Sequence, residues 1–295
     1  MTFFAGFEVE TIDLHGWPQR VRRGGKGPAL VLIHGNPQTH MMWNAIAPDL
    51  ARDYTVYCPD LRGYGVSPKP PASKDSSAYS KRAMAQDLCD IMDHYGEKSF
   101  LLVGHDRGGR ASHRLALDHP ERVERLVVLD IIPTLEHFER TDMAFARAYA
   151  HWFYLAMPHP FPEDLINANP KHWFKHHCSR PMAPENGFHP EALADYLEHI
   201  QNTDVVRGIC EDYRAAAGID LEHDRASRAA GAKIQCPTLA LWGEKGIIGK
   251  FYEPLAIWQL YCAQPVVGGS VKAGHYLPEE NPAQVLGAIR QFLAA

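Results

Sequence analysis

The chain has 295 residues, 45% hydrophobic and 22% charged, a globular composition with ample apolar material for a core. Its formal net charge is −5 and it contains no run of Lys and Arg, which argues against a nucleic-acid partner. No apolar run approaches the roughly 20 residues of a membrane span, and the N-terminus lacks the pattern of a signal peptide. We therefore expect a cytoplasmic protein with no membrane contact.

Strand-like and helix-like segments alternate along the chain, which predicts an α/β fold with a mostly parallel sheet and helices on both faces. Short apolar runs predict buried strands at residues 29–33, 54–58, 99–103, 125–129 and 237–242. A last strand is expected near Val266 and Val267, and residues 284–293 predict a closing helix.

One interval breaks this alternation. About a hundred residues separate Asp130 from Pro237, whereas a plain crossover needs roughly 10–12. We interpret residues 135–216 as an inserted helical cap, with helical patches at 143–155 and 190–200, and residues 1–134 and 217–295 as the core. Such a cap covers the strand ends and excludes water from the chemistry.

The most informative segment is Gly-His-Asp-Arg-Gly-Gly at residues 104–109, between a predicted strand and a predicted helix. A glycine-lined turn in that place is typical of the nucleophile elbow of α/β-hydrolases, which exposes one side chain on a strained backbone. The side chain at the apex is Asp106 rather than serine. A carboxylate can displace a leaving group from a saturated carbon and form an enzyme ester, which water then hydrolyses.

A general base and an orienting acid should follow Asp106 in the chain. His275 lies after the last predicted strand and before the last helix, where the base is expected. Asp130 directly follows a strand, at the carboxyl edge of the sheet, and we assign it to orient His275. The alternatives are that Glu244, after the strand at 237–242, is the acid, and that Asp130 only caps a loop.

Asn36 follows the first core strand in the sequence His34-Gly-Asn-Pro37. A turn there can direct the backbone N–H of Asn36 toward the elbow, where it would join the N–H of Arg107. Together they would form an oxyanion hole for the ester carbonyl of Asp106. A simple strand-to-helix loop is the alternative.

Arg107 and Arg110 lie in the first turn of the helix after the elbow and can share a face. A helix N-terminus favours acidic residues, so two arginines break a local rule, as functional sites often do. Arginine binds carboxylates in bidentate fashion, which indicates a small acid that presents its neighbouring carbon to Asp106. The alternative is that one arginine faces solvent or pairs with Asp60 or Asp87.

Several segments together resemble fluoroacetate dehalogenases: residues 34–40 with Trp43, 60–65, 104–110, 129–134, 151–152, 211–215 and 274–275. The resemblance runs from about residue 30 to 280. Residues 34–40 and 60–65 are shared with epoxide hydrolases and haloalkane dehalogenases, whereas the arginine pair and residues 151–152 are more specific. The resemblance implies hydrolysis of a small haloacid without a cofactor, by a homodimer.

In that family two arginines hold the substrate carboxylate, which the resemblance assigns to Arg107 and Arg110. A His, a Trp and a Tyr surround the leaving fluoride, and His151, Trp152 and Tyr213 lie at the matching motifs. Three N–H or O–H donors would solvate a poor leaving group as its charge develops.

Asn36 departs from the family, which usually has an aromatic residue at this position. Haloalkane dehalogenases often have Asn there and bind halide with its amide, but they typically carry Trp where this chain has Arg107. With Asn36 the preferred halogen stays open, between fluoroacetate and chloroacetate or a different haloacid.

Two other functions compete with a dehalogenase. An epoxide hydrolase uses the same Asp-His-Asp core with two cap tyrosines, for which Tyr213 is one candidate and Tyr149 or Tyr154 the other. A neutral epoxide leaves the two arginines unexplained. A non-catalytic protein that binds a small carboxylate is the second alternative, and the intact set of nucleophile, acid and base argues against it.

Metal and cofactor sites are not expected. His172 and His176 are four residues apart and His177 and Cys178 follow, a spacing that can bind zinc on a helix. No carboxylate stands in a useful register, so we predict a polar face of the cap. No phosphate loop or dinucleotide fingerprint is present, and the six cysteines lack C-x-x-C spacing and are expected to be free thiols.

Overall fold

The computed structural model describes residues 3–178 and 187–295, which are organised around an eight-stranded sheet. The strands are β1 (Phe7–Leu14), β2 (Trp17–Gly25), β3 (Ala29–Ile33), β4 (Thr55–Pro59), β5 (Phe100–His105), β6 (Val123–Leu129), β7 (Thr238–Gly243) and β8 (Val266–Val271). Their order is β1-β2-β4-β3-β5-β6-β7-β8. From β4 to β8 all neighbours are parallel, and β2 pairs antiparallel with both β1 and β4.

The helices follow in chain order. They are α1 (Ala47–Leu50), α2 (Lys81–His94), α3 (Arg107–Asp118), α4 (Thr134–Glu139), α5 (Met143–Ala148), α6 (Ala150–Tyr154), α7 (Phe161–Asn167), α8 (Pro170–Cys178), α9 (Pro190–His199), α10 (Thr203–Ala217), α11 (Ile219–Ala229), α12 (Ile248–Phe251), α13 (Pro254–Gln259), α14 (Leu277–Glu280) and α15 (Pro282–Ala294). Short 3₁₀ helices lie at His40–Ala45 and Ser77–Tyr79. None of the helices in the described ranges has the length and apolarity to cross a bilayer.

The centre of the sheet is fully buried. Every residue of β3, β4 and β5 is buried, which is why these strands read as continuous apolar runs rather than as alternating patterns. Parallel register pairs Leu30 with Leu101 and Leu102 with Leu126. Because these strands run in one direction, the loops after β3, β5, β6 and β8 meet at the same edge of the sheet.

The connection between β6 and β7 contains helices α4 to α11. The helical patch expected at 143–155 is broken, because Tyr149 leaves helical geometry at φ −115° and ψ 37° between α5 and α6. The patch expected at 190–200 is present as α9. The division of the chain at residues 135 and 216 stays a prediction.

Helix α10 packs directly against the loop after β4. A Cβ atom on Gly208 would lie only 2.6 Å from the Cα of Gly63, so neither backbone leaves room for a side chain at this contact. The close approach brings Asp212 and Tyr213, one turn further along α10, over the carboxyl edge of the sheet. All six cysteines are buried thiols outside any disulfide, as expected.

Candidate active site

The elbow begins where β5 ends at His105 and α3 begins at Arg107. Asp106 lies between them with φ 45° and ψ −115°, an unfavourable conformation for a residue with a side chain. Glycine is required on either side, because a Cβ on Gly104 would lie 2.5 Å from Ser112 Oγ and one on Gly108 would lie 2.4 Å from the His34 carbonyl oxygen. The close packing holds the Asp106 side chain up from the sheet.

The Asp106 carboxylate accepts a hydrogen bond from the backbone N–H of Asn36, with 3.0 Å between nitrogen and Oδ2. The predicted oxyanion hole requires this contact of Asn36. The second predicted donor, the backbone N–H of Arg107, belongs to the residue after Asp106, at the start of α3. Burial raises the pKa of Asp106, but the nearby charges of His275 and Arg107 outweigh it and hold that pKa below its usual value. Asp106 is therefore ionised at neutral pH.

His275 and Asp130 are hydrogen-bonded, with 2.6 Å between Nδ1 and Oδ2. The other oxygen of Asp130 accepts the backbone N–H of Gly243 at 2.8 Å, which fixes the carboxylate plane. The alternative acid, Glu244, is exposed in the turn after β7. Of the two candidates, the structure therefore brings Asp130 to the histidine.

The charge state of His275 depends on three neighbours. Burial lowers its pKa, but the hydrogen bond to Asp130 and the charges of Asp130 and Asp106 more than compensate, so the pKa lies above its usual value. The ring of His105 lies 4.7 Å away and its Nε2 is 2.8 Å from the His275 carbonyl oxygen. Burial lowers the pKa of His105 to about 3, so His105 is neutral and donates this bond.

Glu280 was not anticipated from the sequence. Its carboxylate accepts the backbone N–H groups of Gly274 at 2.5 Å and Tyr276 at 2.8 Å, on both sides of His275. Glu280 thus fixes the loop that carries the candidate base. The sequence signal that could have indicated this role is a carboxylate five residues after His275.

Arg107 is fully buried and paired with Asp212 of α10. Its Nε and Nη2 donate to the two carboxylate oxygens at 2.9 and 2.6 Å, and Nη2 also reaches the Asp212 carbonyl oxygen at 3.0 Å. Asp212 also accepts hydrogen bonds from Lys81 and, at 2.8 Å, from the Tyr64 hydroxyl. Arg107 Nη1 has no hydrogen-bond partner within the described ranges.

Arg110 is also buried. Its Nη1 donates to the Ile132 carbonyl oxygen at 3.0 Å and to Thr134 Oγ1 at 3.1 Å, while its Nε is without a partner among the residues described. Burial and the charge of Arg107 lower the pKa of Arg110 to about 10, so it stays positive at neutral pH. Its guanidinium carbon lies 4.5 Å from the centroid of the Trp152 ring.

The alternative partners considered for these arginines were wrong. Asp60 accepts from His40 Nδ1 at 2.8 Å, and Asp87 accepts from Arg62 Nε at 2.7 Å. Neither arginine faces solvent. The actual partner, Asp212, lies more than a hundred residues away in the sequence, and no local pattern indicated it.

A small cavity of about 10 Å³, room for about one water molecule, lies above Asp106. Its lining consists of Asn36, Asp106, Tyr149, His151, His177, Tyr213, His275 and Tyr276. The structure thus brings the predicted His151 and Tyr213 to the same space as Asp106 and His275. Trp152 is buried beside the Arg110 guanidinium and 6.2 Å from the Tyr213 ring, behind this lining.

His177 occupies a different place from the one expected. We predicted a polar cap face for His172, His176 and His177, but only the first two are exposed. His177 is buried in the cavity wall, where its Nε2 lies 3.1 Å from Asn36 Nδ2. His177 lies three residues after Phe174, a buried residue of α8, and this spacing places both side chains on one face of the helix. The pattern could have indicated that His177 is buried. Across the described residues, no group of three His, Cys, Asp or Glu side chains is arranged to hold a metal ion.

The two tyrosines considered beside Tyr213 differ in position. Tyr149 lines the cavity. Tyr154 instead accepts a hydrogen bond from Trp173 Nε1 at 2.6 Å, and the cavity lining does not include it. Only Tyr149 could therefore act with Tyr213 on one bound molecule.

Comparison with known proteins gives a consistent group of relatives. Residues 28–282 match the family described as alpha/beta hydrolase fold. The chain is 42% identical to a fluoroacetate dehalogenase from Burkholderia sp, over 99% of this chain and 95% of that protein. It is 30% identical to a soluble epoxide hydrolase from Corynebacterium sp. (strain C12), over 95% of each.

Solved structures agree with this grouping. ALR0039 from Nostoc sp PCC 7120 superposes with a TM-score of 0.95 at 47% identity, covering 98% of this chain and 99% of that one. The epoxide hydrolase CorEH superposes with a TM-score of 0.88 at 28% identity, over 98% of this chain and 99% of that one.

Proposed function

Since the chain belongs to the α/β-hydrolase fold family, in the branch of its fluoroacetate dehalogenase relative, we propose that it hydrolyses the carbon–halogen bond of small 2-haloacids such as fluoroacetate. The observation that carries this proposal is the pair of buried arginines directly after Asp106. Arg107 Nη1 and Arg110 Nε both lack a partner in the described part of the chain. A bound carboxylate would satisfy these donors and place its neighbouring carbon over Asp106.

In the first step Asp106 attacks that carbon. A carbon–oxygen bond forms as the carbon–halogen bond breaks, and halide leaves with the electron pair on the side opposite Asp106. His151 and Tyr213, which line the cavity, would supply N–H and O–H donors to the departing ion, and the family resemblance assigns a third donor to Trp152. Burial raises the pKa of Tyr213 far above neutral pH, so its hydroxyl keeps its proton for this purpose.

In the second step His275 takes a proton from water, and the water oxygen attacks the ester carbonyl of Asp106. The backbone N–H groups of Asn36 and Arg107 would stabilise the negative charge on the carbonyl oxygen. As this intermediate collapses, the carbon–oxygen bond to the substrate breaks and the remaining hydrogen of the attacking water passes to the leaving oxygen, which restores the Asp106 carboxylate and releases the 2-hydroxy acid. His275 then returns its proton to solvent, and no cofactor takes part.

Helices from residues 135–216 would act as the cap. They supply His151, His177 and Tyr213 to the cavity wall, so closure of this segment would exclude water during the first step. The family resemblance also implies a homodimer, which we carry forward as an expectation.

Epoxide hydrolysis is the second candidate, and one observation favours it. Tyr149 and Tyr213 both line the cavity above Asp106, as two tyrosines that protonate an epoxide oxygen would have to. A relative named as a soluble epoxide hydrolase is 30% identical to this chain. A neutral epoxide would leave the donors of Arg107 and Arg110 unsatisfied, which is why we place this candidate second.

The test is to incubate purified protein with fluoroacetate, chloroacetate and styrene oxide in parallel, measuring fluoride, chloride and diol. Halide release from either acid, abolished in Asp106→Asn, is the expected result. Diol formation without halide release would replace the proposal with an epoxide hydrolase. Tight haloacetate binding with neither product would leave a carboxylate-binding protein.

A further inference from the structure

The side chain of Asn36 joins the loop after β3 to two helices of the insertion. Its Nδ2 lies 3.1 Å from His177 Nε2 on α8 and donates to the Tyr213 hydroxyl oxygen on α10 at 3.3 Å. Its backbone N–H is bound to Asp106 at the same time. All four residues line the cavity.

We assign to His177 the tautomer in which Nε2 carries no hydrogen, so that it accepts from the Asn36 amide, and the two contacts then use both hydrogens of that amide. The amide therefore has no N–H group left for a halide ion in the cavity. The hydroxyl oxygen of Tyr213 accepts one of these hydrogens, so its own hydrogen is directed away from Asn36 and is available to the leaving group. By accepting one hydrogen of the Asn36 amide, His177 thus determines which hydrogen-bond donors remain for an ion in the cavity.

We propose that His177 determines which halide the site accepts, by accepting the Asn36 amide and keeping it away from the leaving group. This inference rests on the proposed dehalogenase function. With the amide withdrawn, the cavity offers the Tyr213 hydroxyl, and the imidazole rings of His151 and His177 fill part of the space. A small ion that forms short hydrogen bonds suits such a site, whereas a larger halide needs more room and a further donor.

Two variants separate the hydrogen bond from simple filling of space. His177→Leu keeps most of the volume but removes the acceptor, which frees one Asn36 N–H for the leaving group. His177→Gln keeps an acceptor that can hold the amide. His176→Leu is the matched control, because His176 is exposed on the same helix.

The measured quantity is the ratio of kcat/KM for chloroacetate to kcat/KM for fluoroacetate. We expect His177→Leu to raise this ratio about tenfold, the effect of roughly one hydrogen bond. His177→Gln should keep the wild-type ratio, and so should His176→Leu. An unchanged ratio in His177→Leu, or the same increase in His177→Gln, overturns the proposal.

A double variant tests the part assigned to Asn36. If the freed amide causes the gain for chloroacetate, His177→Leu with Asn36→Leu should lose that gain, so the two substitutions are not additive. Additive effects would show that His177 acts without Asn36, which contradicts the proposal.

Halide binding gives a readout that does not need turnover. Titration of wild type and His177→Leu with sodium fluoride and sodium chloride, followed by tryptophan fluorescence beside the site, should show tighter chloride binding in the variant. If wild type releases halide from neither acid, the dehalogenase proposal fails, while the order of halide affinities still decides the role of His177. Equal affinities in both proteins would overturn it.

Discussion

Asp106 and His275 each shift the pKa of the other. The negative charge of Asp106 is one of the causes that raise the pKa of His275. In the proposed mechanism, formation of an ester on Asp106 would remove that charge, so the pKa of His275 would fall at the moment when a neutral ring is needed to accept a proton from water. This change in pKa thus favours attack by Asp106 as the first step and proton transfer from water to His275 as the second.

The first prediction concerns this coupling. Asp106→Asn removes the charge and mimics the neutral ester, so we expect the pKa of His275, followed by NMR, to be lower than in wild type. In wild type the rate of ester hydrolysis should fall as pH drops through the pKa that His275 has in the ester, which lies below its pKa in the free enzyme, because the protonated ring cannot act as a base. A His275 pKa that is the same in Asp106→Asn contradicts the coupling.

Removal of the base should separate the two steps. His275→Ala leaves Asp106 able to attack but leaves the ester without a base for its hydrolysis. We expect intact mass spectrometry after incubation with a haloacetate to show an added carboxymethyl group, and peptide mapping to locate it on Asp106. Asp106→Asn is the control that should stay unmodified. An unmodified His275→Ala protein with normal turnover would argue against covalent catalysis.

Asp212 is predicted to position Arg107 for substrate binding. Asp212→Asn leaves the buried charges of Arg107 and Lys81 uncompensated and should destabilise the fold by about 3–5 kcal/mol. Because Arg107 is no longer held in place, it should bind the substrate carboxylate less tightly. KM for haloacetate should therefore rise about tenfold or more while kcat changes less. Urea unfolding and steady-state kinetics measure the two effects.

The control for Asp212 is an exposed ion pair. Glu139→Gln breaks a pair with Arg228, whose side chain is 46% exposed, and should cost at most about 1 kcal/mol with no change in KM. Equal effects of the two variants would contradict the positioning role. The sequence could not indicate Asp212, because the contact depends on how α10 lies over the sheet.

At the scale of elements, the sequence predicted strands best where burial is complete. The runs that became β3 to β7 are mostly apolar and are followed by polar residues or glycine, so they stand out from their surroundings. Strands β1 and β2 were missed, since they lie at the edge with mixed burial and carry many charged residues. The break at Tyr149 was missed because it depends on packing rather than on a proline or glycine.

The contact between Gly63 and Gly208 gives a prediction for helix α10. In Gly208→Ala the new methyl group meets backbone atoms, so α10 must move outward, taking Asp212 and Tyr213 with it. We expect a loss of about 1–3 kcal/mol in stability, as for overpacking, and a large loss of activity. Gly287→Ala in α15 is the control, because nothing lies within 4 Å of the added Cβ.

Gly287→Ala should stabilise the protein slightly, by about 0.5–1 kcal/mol, since alanine is the better helix former. Thermal unfolding of both variants, with activity measured on the same samples, makes the comparison. Wild-type activity in Gly208→Ala would show that the position of α10 does not limit the reaction.

At the scale of the molecule, polar contacts hold the insertion to the core beside the site. Glu279 on α14 accepts hydrogen bonds from the Tyr196 hydroxyl on α9 at 3.1 Å and from Gln38 Nε2. Thr39 donates to Asp195, also on α9, at 2.5 Å. Burial raises the pKa of Glu279 to about 8.

This raised pKa predicts a pH dependence of stability. The unfolded chain loses the Glu279 proton near pH 4.5, whereas the folded protein holds it up to about pH 8. The contribution of Glu279 is therefore fully present below pH 4.5 and is lost as pH rises to about 8. The free energy of unfolding, measured with urea at pH 5 and at pH 8, should differ less between the two pH values for Glu279→Gln than for wild type. An equal difference in the two proteins would contradict the assignment.

The family and the α/β fold could be predicted from the sequence because short motifs after successive strands carry them. Those motifs meet at one sheet edge for reasons of topology alone. The contacts between the insertion and the core could not be predicted, since Glu279, Tyr196 and His177 belong to distant segments with no fixed spacing between them.

The arginines and Asp106 belong to one continuous stretch of seven residues, 104–110, whereas His151, His177 and Tyr213 come from the insertion. In the proposed reaction, recognition of the acid and recognition of the leaving group would therefore be encoded largely in separate parts of the gene. The spacing between the attacking oxygen and the guanidinium groups is set largely by one helical turn, and Asp212 is the residue of the insertion that holds Arg107 in place. Under the proposed function, substitutions in the insertion that spare Asp212 would thus exchange one leaving group for another while the selectivity for short acids is inherited intact.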